Sequence, residues 1–121
     1  MKMFPLIAAA AILAPAAVSA HHSYSMFDMQ KTVAFEATVV QFKWQNPHAF
    51  IIVNAAAGGA SERWSIEMTS PNNLIQEGWK RTSLRPGDKV TLWVHPLRSG
   101  AKGGSYAGVR MADGSTLGEV G

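Results

Sequence analysis

TVAFEATVVQFKWQNPHAF, residues 32–50, carries two apolar sets that do not share a parity. Val33, Phe35, Ala37 and Val39 alternate with polar or small neighbours, as a strand with one buried face requires. From Val40 the set changes parity and continues through Phe42 and Trp44. A slip of one residue turns every side chain to the opposite face of a sheet. A β-bulge near Val39-Val40 restores the inward set and bends the strand, as small barrels need. A strand buried on both faces at its middle is the other way to accommodate this pattern. Asn46-Pro47 then forms a turn, because Pro fixes φ and removes a ladder donor.

Working outward, residues 48–55 (HAFIIVNA) form a second apolar run rich in β-branched side chains. Gly58-Gly59 closes a hairpin into residues 62–69, where Trp64, Ile66 and Met68 alternate with Arg63, Ser65 and Glu67. Ser70-Pro71 has the chemistry of a helix start, with a capping hydroxyl and a proline at the first helical position. Leu74, Ile75 and Trp79 follow, and Gly78 ends a helix of about two turns. Residues 84–88 (LRPGD) read as a tight turn. Lys89 to His95 alternates again, with Val90, Leu92 and Val94 inward and Thr91, Trp93 and His95 outward. Residues 96–105 read as a basic, glycine-rich loop. Tyr106 to Met111 is a last main strand, followed by an Asp113-Gly114 hairpin turn and a short returning edge. Three strands, a short helix and two strands, with a bulged first strand, predict an all-β, five-stranded OB-like barrel. An open β-sandwich is the alternative arrangement.

The ends of the chain set its address. Met1-Lys2-Met3 gives a positive start, Phe4 to Val18 is apolar and alanine-rich, and Val18-Ser19-Ala20 is a small-residue cleavage site. Residues 1–20 therefore read as a secretory signal peptide. The run is too short, and too interrupted by Pro5 and Pro15, for a membrane span. Residues 21–31 (HHSYSMFDMQK) read as an extended arm laid across the domain by Tyr24, Met26 and Phe27, and residues 32–121 as the barrel domain. Export to the periplasm is expected. The chain has no cysteine, so neither disulfides nor lipidation at the cleavage site are open to it. The net charge of +3 is mild and forms no stripe of the kind that neutralises phosphates, so no nucleic-acid partner is expected.

Several stretches together carry a resemblance. They are Ala20-His21-His22-Ser23, Met26-Phe27-Asp28, Phe42 to His48, Trp64 to Met68, Ser70-Pro71-Asn72, Gly78-Trp79 and Pro86 to Val90. In combination they resemble a bacterial family, domain of unknown function 6152, of small exported proteins. The resemblance covers almost the whole of residues 21–121. It implies an exported OB-like barrel and supplies no catalytic residues.

Three chemistries are open to the side chains. After cleavage, His21 would carry a free α-amine beside its imidazole, with His22 next to it. Amine and imidazole nitrogens suit copper, so His21, His22 and His48 form a candidate metal set that partly resembles a histidine brace, with His95 as a further donor. Met26, Met29, Met68 and Met111 offer soft thioether donors, although Met68 has core parity. A binding surface is the second possibility, with Trp44, Asn46, His48, Trp93 and His95 as its residues and Tyr106 as a further stacking plane. Its partner would be a small molecule, a peptide or an envelope protein, and a structural accessory docking through the barrel face is a further reading. Catalysis is the third. No cysteine nucleophile, nucleophile elbow or HExxH is present, Glu67 reads as an exposed strand residue pairing with Arg63 or Lys43, and no enzyme is expected.

Overall fold

The computed structural model describes residues 2, 3, 5, 25–57 and 60–121. Six strands and one helix follow in order: β1 (Val33–Lys43), β2 (Phe50–Ala57), β3 (Ala60–Glu67), α1 (Pro71–Gln76), β4 (Lys89–Pro96), β5 (Gly103–Met111) and β6 (Thr116–Gly118). The sheet runs β3-β2-β1-β4-β5-β6, and a parallel pairing of β3 with β5 closes it. The result is a five-stranded barrel with one short helix between β3 and β4 and a small added edge, β6.

The change of parity in β1 is a bulge. The first part of β1, Val33 to Thr38, pairs with β4. The second part pairs with β2, with the register shifted between Val39 and Gln41, so that Val40 is the extra residue. Val39 is buried ahead of the bulge, and Phe42 and Trp44 pack against the core beyond it. One strand can thus turn the corner between two neighbours and keep its apolar set inside.

Helix α1 starts where its chemistry places it. The Ser70 hydroxyl accepts from the Asn73 amide at 3.4 Å, and Pro71 takes the first turn. Leu74 points inward from the helix, and Trp79 and Leu84 follow it into the core beside Ile51, Ile66, Leu92 and Val109. The Trp79 ring meets Phe42 at 5.5 Å and stands edge-on to Tyr106 at 5.4 Å.

The basic, glycine-rich segment departs from the sequence expectation. Gly103, Gly104 and Ser105 belong to β5 and pair with β3, and Gly104 and Ser105 pair with β4 as well. A β-carbon on Gly104 would stand 2.5 Å from the His95 carbonyl oxygen, and one on Gly103 would stand 2.8 Å from that of Ser65. These residues are glycine because two other strands approach their backbone too closely for a side chain.

The arm lies along the end of β4. Phe27 is buried and forms a single antiparallel bridge with Leu97. The Asp28 amide donates to the Pro96 carbonyl at 2.8 Å, the Arg98 amide to the Met26 carbonyl at 2.9 Å, and Arg98 Nε to the Ser25 carbonyl at 3.1 Å. Met26 is exposed rather than packed, and Tyr24 lies outside the described residues.

Candidate functional site

Barrel closure creates a row of polar residues that are far apart in sequence. Ser105 on β5 is opposite His95 on β4 and also opposite Glu67 on β3. Directly opposed residues project from the same face of a sheet, so His95, Ser105 and Glu67 stand side by side across three strands. Adjacent strands lie about 4.8 Å apart, which puts the ends of this row roughly 10 Å apart at the backbone. His48, just before β2, joins the row through Glu67, its Nδ1 lying 3.1 Å from Glu67 Oε1.

These residues line one cleft of about 600 Å³. Phe27 and Met29 of the arm form one wall. Met68 and Trp79 supply apolar surface, and Tyr106, Ala107, Gly118 and Glu119 complete the opposite side. Glu67, Glu77 and Glu119 all line it, whereas none of the lining residues is a lysine or arginine. The cleft is therefore acidic on a chain whose net charge is +3.

Each histidine is held by one ring nitrogen. His95 Nδ1 lies 2.9 Å from the Lys31 carbonyl oxygen. A carbonyl only accepts, so Nδ1 carries the hydrogen and donates it, and the neutral ring presents its lone pair at Nε2. The Thr32 hydroxyl lies 3.4 Å from the same Nδ1. His48 Nδ1 faces a carboxylate, which gives the same tautomer.

Tyr106 completes the chemistry. Its hydroxyl oxygen is buried and has no hydrogen-bond partner among the described residues. Burial holds the phenol well above its ordinary value, and the nearby Glu77 charge adds to the rise. The Trp79 indole offsets part of this by favouring the phenolate, without forming a good hydrogen bond to the neutral hydroxyl.

Of the residues read as a binding surface, His48 and His95 are brought together, while Trp44, Asn46 and Trp93 stand outside the cleft. Trp44 is half-buried, edge-on to Phe42 at 5.6 Å. Asn46 is exposed in the turn, where its peptide bond to Pro47 is cis. Trp93 lies under the Arg110 guanidinium at 5.0 Å. Glu67 meets His48 rather than Arg63 or Lys43. Sequence reasoning did not place Phe27, Glu77 or Glu119 at a site, and no local signal marks them, since the closing strand and the arm bring them in. In the candidate copper set, His21 and His22 lie outside the described residues. Among the described residues, no three His, Cys, Asp or Glu side chains gather to hold a metal ion, and no helix is long and apolar enough to cross a membrane.

The closed β3–β5 seam, the bulged β1 and the helix between β3 and β4 define an OB-type barrel. The same fold is found in a solved structure, the mitochondrial single-stranded DNA binding protein Rim1 from S. cerevisiae. The two share 9% identity, with a TM-score of 0.50 over 68% of this chain and 94% of that one. At this identity the likeness is one of fold alone. The model of the family of unknown function DUF6152 matches residues 9–107, and the chain belongs to that family. A comparison with curated proteins finds no match.

Proposed function

We propose that the protein is an exported, non-enzymatic binding module, with the cleft between the arm and the β3–β5 seam as its ligand site. The observation that carries this reading is the composition of the cleft. A volume of about 600 Å³ has apolar surface from Phe27, Met68 and Trp79, with His48, His95, Tyr106 and the carboxylates of Glu67, Glu77 and Glu119 among the polar groups lining it. Small-ligand sites have this form, a concave apolar surface with a few placed polar groups. Three carboxylates without a lysine or arginine favour a ligand that is positively charged or rich in donors. The amino-terminal pattern of residues 1–20 supports export, with the periplasm as its destination.

The test is a fragment screen by NMR on metal-free protein. Cationic fragments are expected to shift the Trp79 indole, Tyr106 and both histidine rings. A screen that leaves these signals unmoved, or moves only those around Trp93, refutes the reading.

A copper site made from the mature amino terminus, His21 and His22 with His48, is the second reading. It is favoured by His48, whose Nε2 is left free by the Glu67 contact. Copper binding that is lost when one glycine is added ahead of His21 would support it. Binding that is indifferent to the added residue would reject it.

A further inference from the structure

We infer that the outer face of β1, β2 and β3 is an interface with a second copy of this chain, related to the first by a two-fold axis that runs along β2. The inference goes beyond the ligand reading and does not depend on it.

The first argument is the composition of β2. Phe50-Ile51-Ile52-Val53 is an unbroken run of large apolar side chains. An antiparallel strand with one solvated face alternates apolar with polar residues, whereas a continuous apolar run marks a strand covered on both faces. Ile51 and Val53 are fully buried in the core. Phe50 and Ile52 project from the other face, where each is half-buried. Val40, the extra residue of the bulge, is half-buried beside Gln41, which is the partner of Ile52. The barrel thus uses one face of β2 for its own core and leaves a contiguous apolar strip on the other, the mark of an interaction surface.

The second argument is what flanks the strip. Lys43 on β1 and Glu67 on β3 both lie opposite Phe50, and Gln41 and Ser65 both lie opposite Ile52. The face therefore carries a cation one strand to one side of the strip and an anion one strand to the other, with neutral polar residues in the next row. Two such faces related by a two-fold along β2 exchange their sides. Lys43 of each copy then stands over Glu67 of the other, Gln41 over Ser65, and Phe50 and Ile52 each over its own counterpart. An isologous interface needs this self-complementarity, whereas a partner of another sequence does not. Aligned sheets pack about 10 Å apart, within reach of these side chains. Among the described residues the ion pairs are His48 with Glu67 Oε1 and Lys102 with Glu62. Lys43 is left unpaired, and Glu67 keeps its second oxygen for a lysine.

The face is three strands wide and about five residues long, roughly 15 by 17 Å. That is at the small end of specific interfaces, so the dimer is expected to dissociate on dilution. His48 and Glu67 also line the cleft, and the second copy borders the ligand site at that end.

The experiment is sedimentation velocity over a wide dilution series, on the protein as cells produce it. A monomer–dimer equilibrium is expected. Lys43→Glu and Glu67→Lys each set like charges across the axis, and each is expected to weaken association at least about tenfold. The double change Lys43→Glu with Glu67→Lys reverses both signs and is expected to restore it. Ile52→Thr keeps a β-branched side chain on an outer strand position. It is expected to abolish the dimer, with a thermal midpoint in dilute solution close to wild type.

A chain that stays monomeric at every concentration overturns the inference. So does a dimer that survives both single reversals, or one that the double change fails to restore. Glu67→Lys also removes the His48 contact, which the double change does not replace, so restoration reports the pair across the axis rather than the cleft.

Discussion

Tyr106→Phe removes one oxygen and leaves the ring in place, edge-on to Trp79 at 5.4 Å. In the folded protein that oxygen is buried with no hydrogen-bond partner among the described residues, whereas in the unfolded chain it is hydrated. A buried, unsatisfied hydroxyl costs about 1–3 kcal/mol. Tyr106 is only half-buried overall and borders an open cleft, so the lower end applies. The phenylalanine variant should be more stable by about 1 kcal/mol, a rise in midpoint of roughly 4–8 °C for a domain of this size. The effect should grow in alkali. The folded phenol is held above its ordinary value, mainly by burial. The unfolded chain therefore releases this proton first, near pH 10. The tyrosine's contribution is fully present below that pH and declines as pH rises above it. The decline is less than the one-proton limit of about 1.4 kcal/mol per pH unit, because the group is partly solvated. Thermal melts followed by circular dichroism, at neutral pH and near pH 11, measure both quantities. A variant less stable than wild type at neutral pH, or a stability gap that does not widen in alkali, would mean that the hydroxyl has a partner in the native state, and the reasoning would fail.

Other perturbations probe the features that build the site. Gly104→Ala puts a methyl group 2.5 Å from the His95 carbonyl oxygen and 3.2 Å from Val94, and should destabilise by at least about 2 kcal/mol by overpacking. A denaturant melt within error of wild type would contradict that close approach. Inserting one alanine between Gln41 and Phe42 shifts the parity that the bulge sets and turns Phe42 and Trp44 to the wrong face. The variant should lose its cooperative thermal transition, and a melt within a few degrees of wild type would refute the role given to the bulge. His48→Ala removes a contact with Glu67 whose side chains are 32% and 26% exposed, so the loss should not exceed about 1 kcal/mol. A fall in midpoint much beyond roughly 4–8 °C would make His48 a structural residue rather than a site residue.

The barrel was largely legible because its signals are local. The parity change at Val39-Val40 is a property of one strand's own pattern, and so are the alternation of residues 62–69 and 89–95 and the Ser70-Pro71 helix start. Each follows from backbone geometry and from which face is buried. The glycines at 103 and 104 were misleading for a physical reason. A glycine in isolation reads as a breaker, and only the approach of β3 and β4 shows that these two are the sole residues able to fit the seam.

The site divides along the same line. The sequence alone supplied His48 and His95 as polar groups open to a ligand. It could not show that two histidines far apart in sequence line one cleft. That follows from the register of the parallel β3–β5 pairing, which aligns Glu67, Ser105 and His95, and from an arm pinned by Phe27 and Arg98. Local periodicity decides which face of a strand is buried. Long-range strand pairing decides which residues share the other face, and no local signal encodes it.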